Sequence, residues 1–358
     1  MAQSAPLTGN VASAFRTLGL LHLRSEQRVS RGAPRVVVRS RAAEGSAGDW
    51  QDLPSWRFFR HVVRVGLYLG KCNVRPGDRV VVLLPLRAER IIAEWAVVVH
   101  GGVVATLDPG TPDDALARAF EQLSPRVAFV ADPATRDRVL RAGARVERFV
   151  LAEGAPRTDT SDVTWAAMLD LGGTLDTAER AQAFRATARE LRPEMPAIAY
   201  VDLQPDGRPE WKTASHAAVV SRLRDLWEAE PSRPGDVAYA VDPGEYAGLR
   251  LALWALVADG ETTLAVGAPD REARDVAELR PHVVVGPVEA LERAAQPLDA
   301  QRAPRTDAPS RAAGWLRLAS YVAPTAKRRA NQDGAPRWRR SLTLEGSNWP
   351  VILPIARR

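Results

Sequence analysis

A single cysteine, Cys72, leaves no internal disulfide to form and no multi-cysteine metal cluster to build. It fits a reducing compartment, and the cytoplasm is the expected location. Histidine is scarce too. His22, His61, His100, His216 and His282 are scattered, with no H-x-x-x-H or C-x-x-C spacing, so no metal site is expected. Ser215-His216 with Asp225 does not make a triad, because near neighbours in sequence cannot supply its geometry. No apolar run reaches membrane-spanning length. Lysine is limited to Lys71, Lys212 and Lys327 beside abundant arginine, which reads as coding-composition bias rather than function.

What charge there is lies unevenly. Of a net +6, residues 301–358 carry eleven arginines and one lysine against three acids, a balance of +9, so the preceding 300 residues carry −3. In this tail, Trp315, Trp338 and Trp349 are mixed with Arg328, Arg329, Arg337, Arg339 and Arg340. That mixture suits nucleic acid or an anionic lipid surface, and it equally suits a solvated linker with a docked end. Trp50, Trp56, Trp95, Trp165 and Trp254 are expected in the core.

The body alternates. Val80–Pro85 is an apolar run behind a Pro76-Gly77-Asp78 turn and is expected as a buried parallel strand. A helix follows, with Ile91, Ile92, Trp95, Val98 and Val99 on one broad face, ended by Gly101-Gly102. Strands are expected at 103–107, 127–131 and 147–151. Helices are expected from Thr111 (as N-cap, with Pro112 in the first turn), at 133–142 and at 177–191. The alternation restarts with strands at 197–203, 237–241, 262–266 and 282–286 and helices at 215–229, 246–258, 270–279 and 288–296. The expected fold class is α/β, with two successive parallel-sheet subdomains. Expected boundaries are 1–73 (an N-terminal helix and segment packing on the second subdomain), 74–196, 197–296, and a basic, flexible tail at 297–358, with a short helix over Trp315–Val322.

The stretch Ala197–His216 reads AIAYVDLQPDGRPEWKTASH. An apolar strand enters a Pro-Asp-Gly turn, and a segment then ends at Ser215-His216, the start of a helix. This resembles the phosphate-binding loop of the adenylate-forming, AMP-binding superfamily, whose strand leads into YTSGTTGxPKG and then a T/S-H pair. In that alignment Gly207 and Pro209 fall on the second glycine and the proline, and His216 on the histidine. Other stretches resemble the N-terminal region of long-chain acyl-CoA synthetases in the same order. Asn10–Val29 is similar to the opening helix, Val74–Val80 to the "GVxPGDRVAI" entry, Gly101–Pro109 to the "AGxVxVPLDP" turn, and Arg280–Pro287 to "xPTVxxGVP".

The departures fall where the chemistry lies. Asp202, Leu203, Gln204, Pro205 and Asp206 stand where the family has hydroxyls and glycines, and Glu210-Trp211 where it has Lys-Gly. A phosphate cradle aims N–H groups, hydroxyls and an ammonium at a polyanion. Pro205 removes an N–H, and the acids add like charge. At about 5 Å and an effective dielectric near ~20, each such pair costs on the order of 3 kcal/mol, more than several neutral hydrogen bonds of about 1 kcal/mol each. Trp211 reads as a plug in the nucleotide pocket, and Lys212 as a solvated lysine past the turn. The "LPLxHxxG" motif becomes Val241–Gly248, with Glu245 at the histidine position. Nothing after Gln296 resembles "YGxTE" or "TGD". The C-terminal lid domain with its catalytic lysine is absent from the resemblance.

The resemblance therefore implies an acyl-CoA synthetase-like protein inactive in adenylation, serving as a binding, regulatory or scaffold subunit. Its partner would be an active acyl-CoA synthetase, a carrier protein or another subunit. Residues of the eroded nucleotide loop are Asp206, Gly207, Arg208, Lys212 and His216, and the substrate side is marked by Glu245 and Gly248. No cofactor is expected. ATP with Mg²⁺ and CoA would enter only where the family's activity is retained. Two alternatives stand beside this reading. One is an active acyl- or aryl-acid ligase completed by a partner chain, with Lys212 and Arg208 holding phosphate. The other is an adaptor that binds nucleic acid or an anionic surface through residues 301–358.

Overall fold

The computed structural model describes residues 15–31, 35–41, 50–203, 209–229, 235–241, 247–259, 262–267, 271–287 and 317–321. Two parallel-rich sheets organise them. The seven-stranded sheet uses β3 (Arg79–Leu83), β4 (Val103–Thr106), β5 (Val127–Val130), β6 (Arg148–Leu151), β7 (Val163–Thr164), β8 (Pro196–Leu203) and β9 (Pro209–Ser215), in the order β7-β6-β5-β3-β4-β8-β9. Only the β8–β9 pair is antiparallel. The six-stranded sheet uses β1 (Val36–Arg41), β2 (Trp50–Pro54), β10 (Val237–Ala240), β11 (Thr263–Val266), β12 (Val283–Pro287) and β13 (Arg317–Tyr321), in the order β13-β12-β10-β11-β1-β2.

The central strands β3, β4 and β5 are apolar runs because helices cover both faces. Val80 to Leu83, Val103 to Ala105 and Val127 to Val130 are all buried. Each fully buried Val or Leu contributes about 1.5–3 kcal/mol. The covering helices in this unit are α1 (Leu18–Arg31), α2 (Ser55–Lys71), α3 (Ala88–His100), α4 (Asp113–Leu123), α5 (Pro133–Arg141), α6 (Trp165–Leu175) and α7 (Ala178–Glu190). Helix α3 stops at Gly101, which takes φ +95° and closes the last turn onto Val97 and Val98. Helix α2 packs on α3, α6 and α7. At Gly66 a Cβ would fall inside the Phe184 ring of α7, and at Gly19 of α1 inside the Ala188 carbonyl, so both seams close at backbone distance.

One compact unit holds α1 with residues 54–222, and the other holds β1, β2 and the described residues from 223 onward. The second unit's core gathers Tyr239, Val241, Ala265, Val276 and Val284, with α9 (Ala247–Asp259) and α10 (Glu272–Leu279) beside its strands. Helix α8 (His216–Ala229) runs across the boundary in sequence.

Several expectations need correction. The segment 1–73 divides: β1 and β2 join the six-stranded sheet, while α1 and α2 belong to the unit of the seven-stranded one. The strand at 197–203, expected to open the second subdomain, pairs with β4 and belongs to the first sheet. Residues 209–215, where no strand was expected, form β9. Thr111 is not the cap of α4. Pro112 occupies that position, and the Thr111 hydroxyl donates to the Asp108 carbonyl at 2.7 Å instead. The short helix expected over Trp315–Val322 is the strand β13, parallel to β12. Trp56 is 47% exposed, because it sits on the outer face of α2 between Ser55 and Arg57. The helix expected at 288–296 and most of the tail lie outside the described residues.

Candidate functional site

The segment that resembles a phosphate loop is a β-hairpin. Strand β8 pairs in parallel with β4 through Val104–Ile198 and Ala105–Ala199, which fixes it on the sheet. Strand β9 then returns antiparallel along β8, with Tyr200 opposite Lys212, Val201 opposite Trp211 and Asp202 opposite Glu210. The Asp202–Glu210 pair lies beside the hairpin's connection. Asp206, Gly207 and Arg208, three of the expected loop residues, lie outside the described residues, as does Glu245.

Lys212 lies within β9, past the connection from β8. Its Nζ is 3.6 Å from Glu210 on the same strand, and both side chains are largely in solvent, 41% and 54% exposed. Trp211, on the other face, is half-buried against the core cluster that contains Ala199, Ala105 and Leu107. This indole is therefore part of the sheet's packing and not a plug lodged in a nucleotide pocket.

His216 opens α8 directly after β9. Its backbone N–H donates to the Met195 carbonyl at 2.9 Å, and the Ser215 hydroxyl caps the helix by accepting from the Ala218 N–H at 3.2 Å. The imidazole is fully buried. Its Nδ1 accepts from the Leu18 N–H, at the start of α1, at 3.4 Å. Burial lowers its pKa to about 4, so the ring is neutral. Its Nε2 has no hydrogen-bond partner among the described residues. The ring thus ties α8 to α1 inside the fold, while Lys212 stays at the surface with Glu210. The structure does not bring these two expected loop residues to one point. Gly248 is the second residue of α9, in the other unit.

A second polar cluster went unread in the sequence. Arg90 and Glu94 are one helical turn apart on α3 and almost wholly buried, at 1% and 2%. Arg90 Nε donates to Glu94 Oε1 at 3.2 Å, and its Nη1 to the Leu84 carbonyl just past β3 at 3.3 Å. The Thr106 hydroxyl, at the end of β4, donates to the same Glu94 oxygen at 2.7 Å. The cluster fastens α3 to the carboxyl ends of two central strands, the side of an open parallel sheet where ligands bind. A basic and an acidic residue four apart in the apolar run RIIAEWAVVV was the available signal.

Residues 30–202 match the profile of the AMP-binding enzyme family. That match takes in a little under half of the chain. No curated protein matches the chain by sequence. Solved structures match it in fold. They include the luciferase-like enzyme from the nonluminescent mealworm Zophobas morio (TM-score 0.64, 12% identity, 90% of this chain and 70% of that one). An acyl-CoA synthetase from Brucella canis matches with TM-score 0.58 at 18% identity, over 77% of this chain and 48% of that one. ATP-bound MatB from Rhodopseudomonas palustris matches with TM-score 0.56 at 17% identity, over 78% and 51%. The chain thus spans about half the length of the last two. The likeness is one of fold, and it fits the two-sheet α/β body of an acyl-CoA synthetase's N-terminal region. Among the described residues, no helix is long and apolar enough to cross a membrane, and no group of His, Cys, Asp and Glu could hold a metal ion.

Proposed function

We propose that this acyl-CoA synthetase-like chain does not adenylate acids and acts as a binding or regulatory subunit beside an active enzyme or a carrier protein. The observation that supports the reading is the register of the β8–β9 hairpin. It sets Asp202 opposite Glu210 and occupies Lys212 with the Glu210 carboxylate. Adenylation needs a cation held at the α-phosphate as charge develops there. A lysine paired with Glu210 along its own strand is a poor source of one.

The test is ATP–pyrophosphate exchange by the full chain against a panel of fatty and aryl acids, with ATP thermal shift measured in parallel. The expected result is exchange at the blank level and no rise in melting temperature at millimolar ATP. Acid-dependent exchange by the chain alone would overturn the reading. Exchange that appears only with a second chain present would favour an enzyme completed by a partner.

A further inference from the structure

A cavity of about 380 Å³ opens between α1, α2 and the start of α7, within one compact unit and away from the hairpin in sequence. Its floor is apolar: Phe59 and Val63 are 3% exposed and Ala181 7%. Trp56 lines it from the outer face of α2 as an exposed indole, with the Arg57 guanidinium 5.3 Å from its ring. One wall is closed by Arg185, which donates to both Glu26 oxygens at 2.9 and 2.6 Å.

The other wall is electrostatically unbalanced. Asp176 alone faces two guanidiniums, Arg60 Nε at 3.3 Å and Arg64 Nε at 3.6 Å. Arg60 is 55% exposed, and among the described residues its two terminal nitrogens have no hydrogen-bond partner. Arg64 Nε is buried and likewise lacks a hydrogen bond. His61, between them on α2, registers the excess. Burial first, then Arg64 and Arg57, hold its pKa down at about 4; Glu89 pulls the other way, and Arg60 adds least.

A small concave site with an apolar floor, one exposed indole and a planar cation with two free donors suits a particular ligand chemistry. The volume is at the lower end of ligand pockets, about 300–1,000 Å³, and a guanidinium edge matches a carboxylate. We propose that this cavity binds a small aromatic monocarboxylate, its ring between Trp56 and the Phe59–Val63–Ala181 floor and its carboxylate on the terminal nitrogens of Arg60.

Titration calorimetry of the full-length chain with 2-naphthoate tests this, with 2-naphthol as the uncharged control. Saturable naphthoate binding that weakens with salt is expected, with naphthol bound at least about tenfold more weakly, the effect of one charge-assisted contact. Arg60→Gln, at an exposed position that leaves the fold intact, should weaken naphthoate about tenfold. Ala181→Leu should abolish binding by filling the floor, its melting curve reporting that the protein is folded. Lys212→Ala on the hairpin should change nothing. No naphthoate binding, equal affinity for naphthol, or loss in Lys212→Ala with Arg60→Gln unaffected would each overturn the proposal. Because the readout is binding without ATP, its outcome is independent of the exchange assay.

Discussion

The Arg90–Glu94 pair and the Lys212–Glu210 pair join the same kinds of charge in the same unit, one with side chains 1% and 2% exposed and the other 41% and 54%. The distances are similar, 3.2 and 3.6 Å, so geometry alone does not separate them. Surroundings do. In the interior, each charge depends on its partner, because water cannot replace it. At the hairpin, water competes for both and the pair contributes little. The charges committed to structure are those that carry α3 on β3 and β4. The lysine that only an alternative reading assigned to phosphate is held loosely, and by an acid.

Breaking the interior pair should have the largest effect. Glu94→Ala leaves Arg90 and the Thr106 hydroxyl without their shared acceptor and should cost about 3–5 kcal/mol in urea unfolding. Replacing both partners with apolar residues, Arg90→Met with Glu94→Leu, should recover most of that loss. A double variant as unstable as the single one would show that the pair does more than satisfy itself.

The next test creates an interior charge with no partner. His216 and His22 are both fully buried, and both are lowered to about 4 from 6.5, chiefly by burial. The unfolded chain takes up these protons near 6.5 and the folded chain does not. The stabilisation is therefore complete above about 6.5 and is lost as pH falls towards about 4. For each ring the gap corresponds to on the order of 3 kcal/mol. Unfolding free energy followed from pH 7.5 to 4 should fall steeply, and His216→Asn should flatten part of the slope. A flat profile in the wild-type chain would mean that these rings are hydrated after all.

Removing the exposed pair should have the smallest effect. Lys212→Ala should shift stability by less than about 0.5 kcal/mol. A loss of about 2 kcal/mol or more would erase the contrast and make the hairpin a rigid, charge-stabilised element.

Much of the fold was legible because its signals are local. Val127–Val130 and Arg148–Leu151 are uninterrupted apolar runs bounded by turns, and their strands lie within a residue of expectation. The Ser215 cap and the Gly101 stop were legible for the same reason. Strand β1 was missed although Val36, Val37 and Val38 stand together, because its partner β11 lies more than two hundred residues away. Strand β9 was missed because Glu210, Lys212 and Thr213 are polar, as suits the end strand of a sheet. Of the candidate site, the departures from the family's loop could be read from residue types alone. The burial of His216 against Leu18 could not, since nothing in Ser215-His216 tells which way the ring turns.

The seam at Gly66 limits what the helix packing can accept. A methyl group there would collide with the Phe184 ring, and one at Gly19 with the Ala188 backbone. Neither place can take a side chain without parting the helices, so the packing of α1 and α2 on α7 depends on two hydrogen atoms where any other residue would carry a carbon.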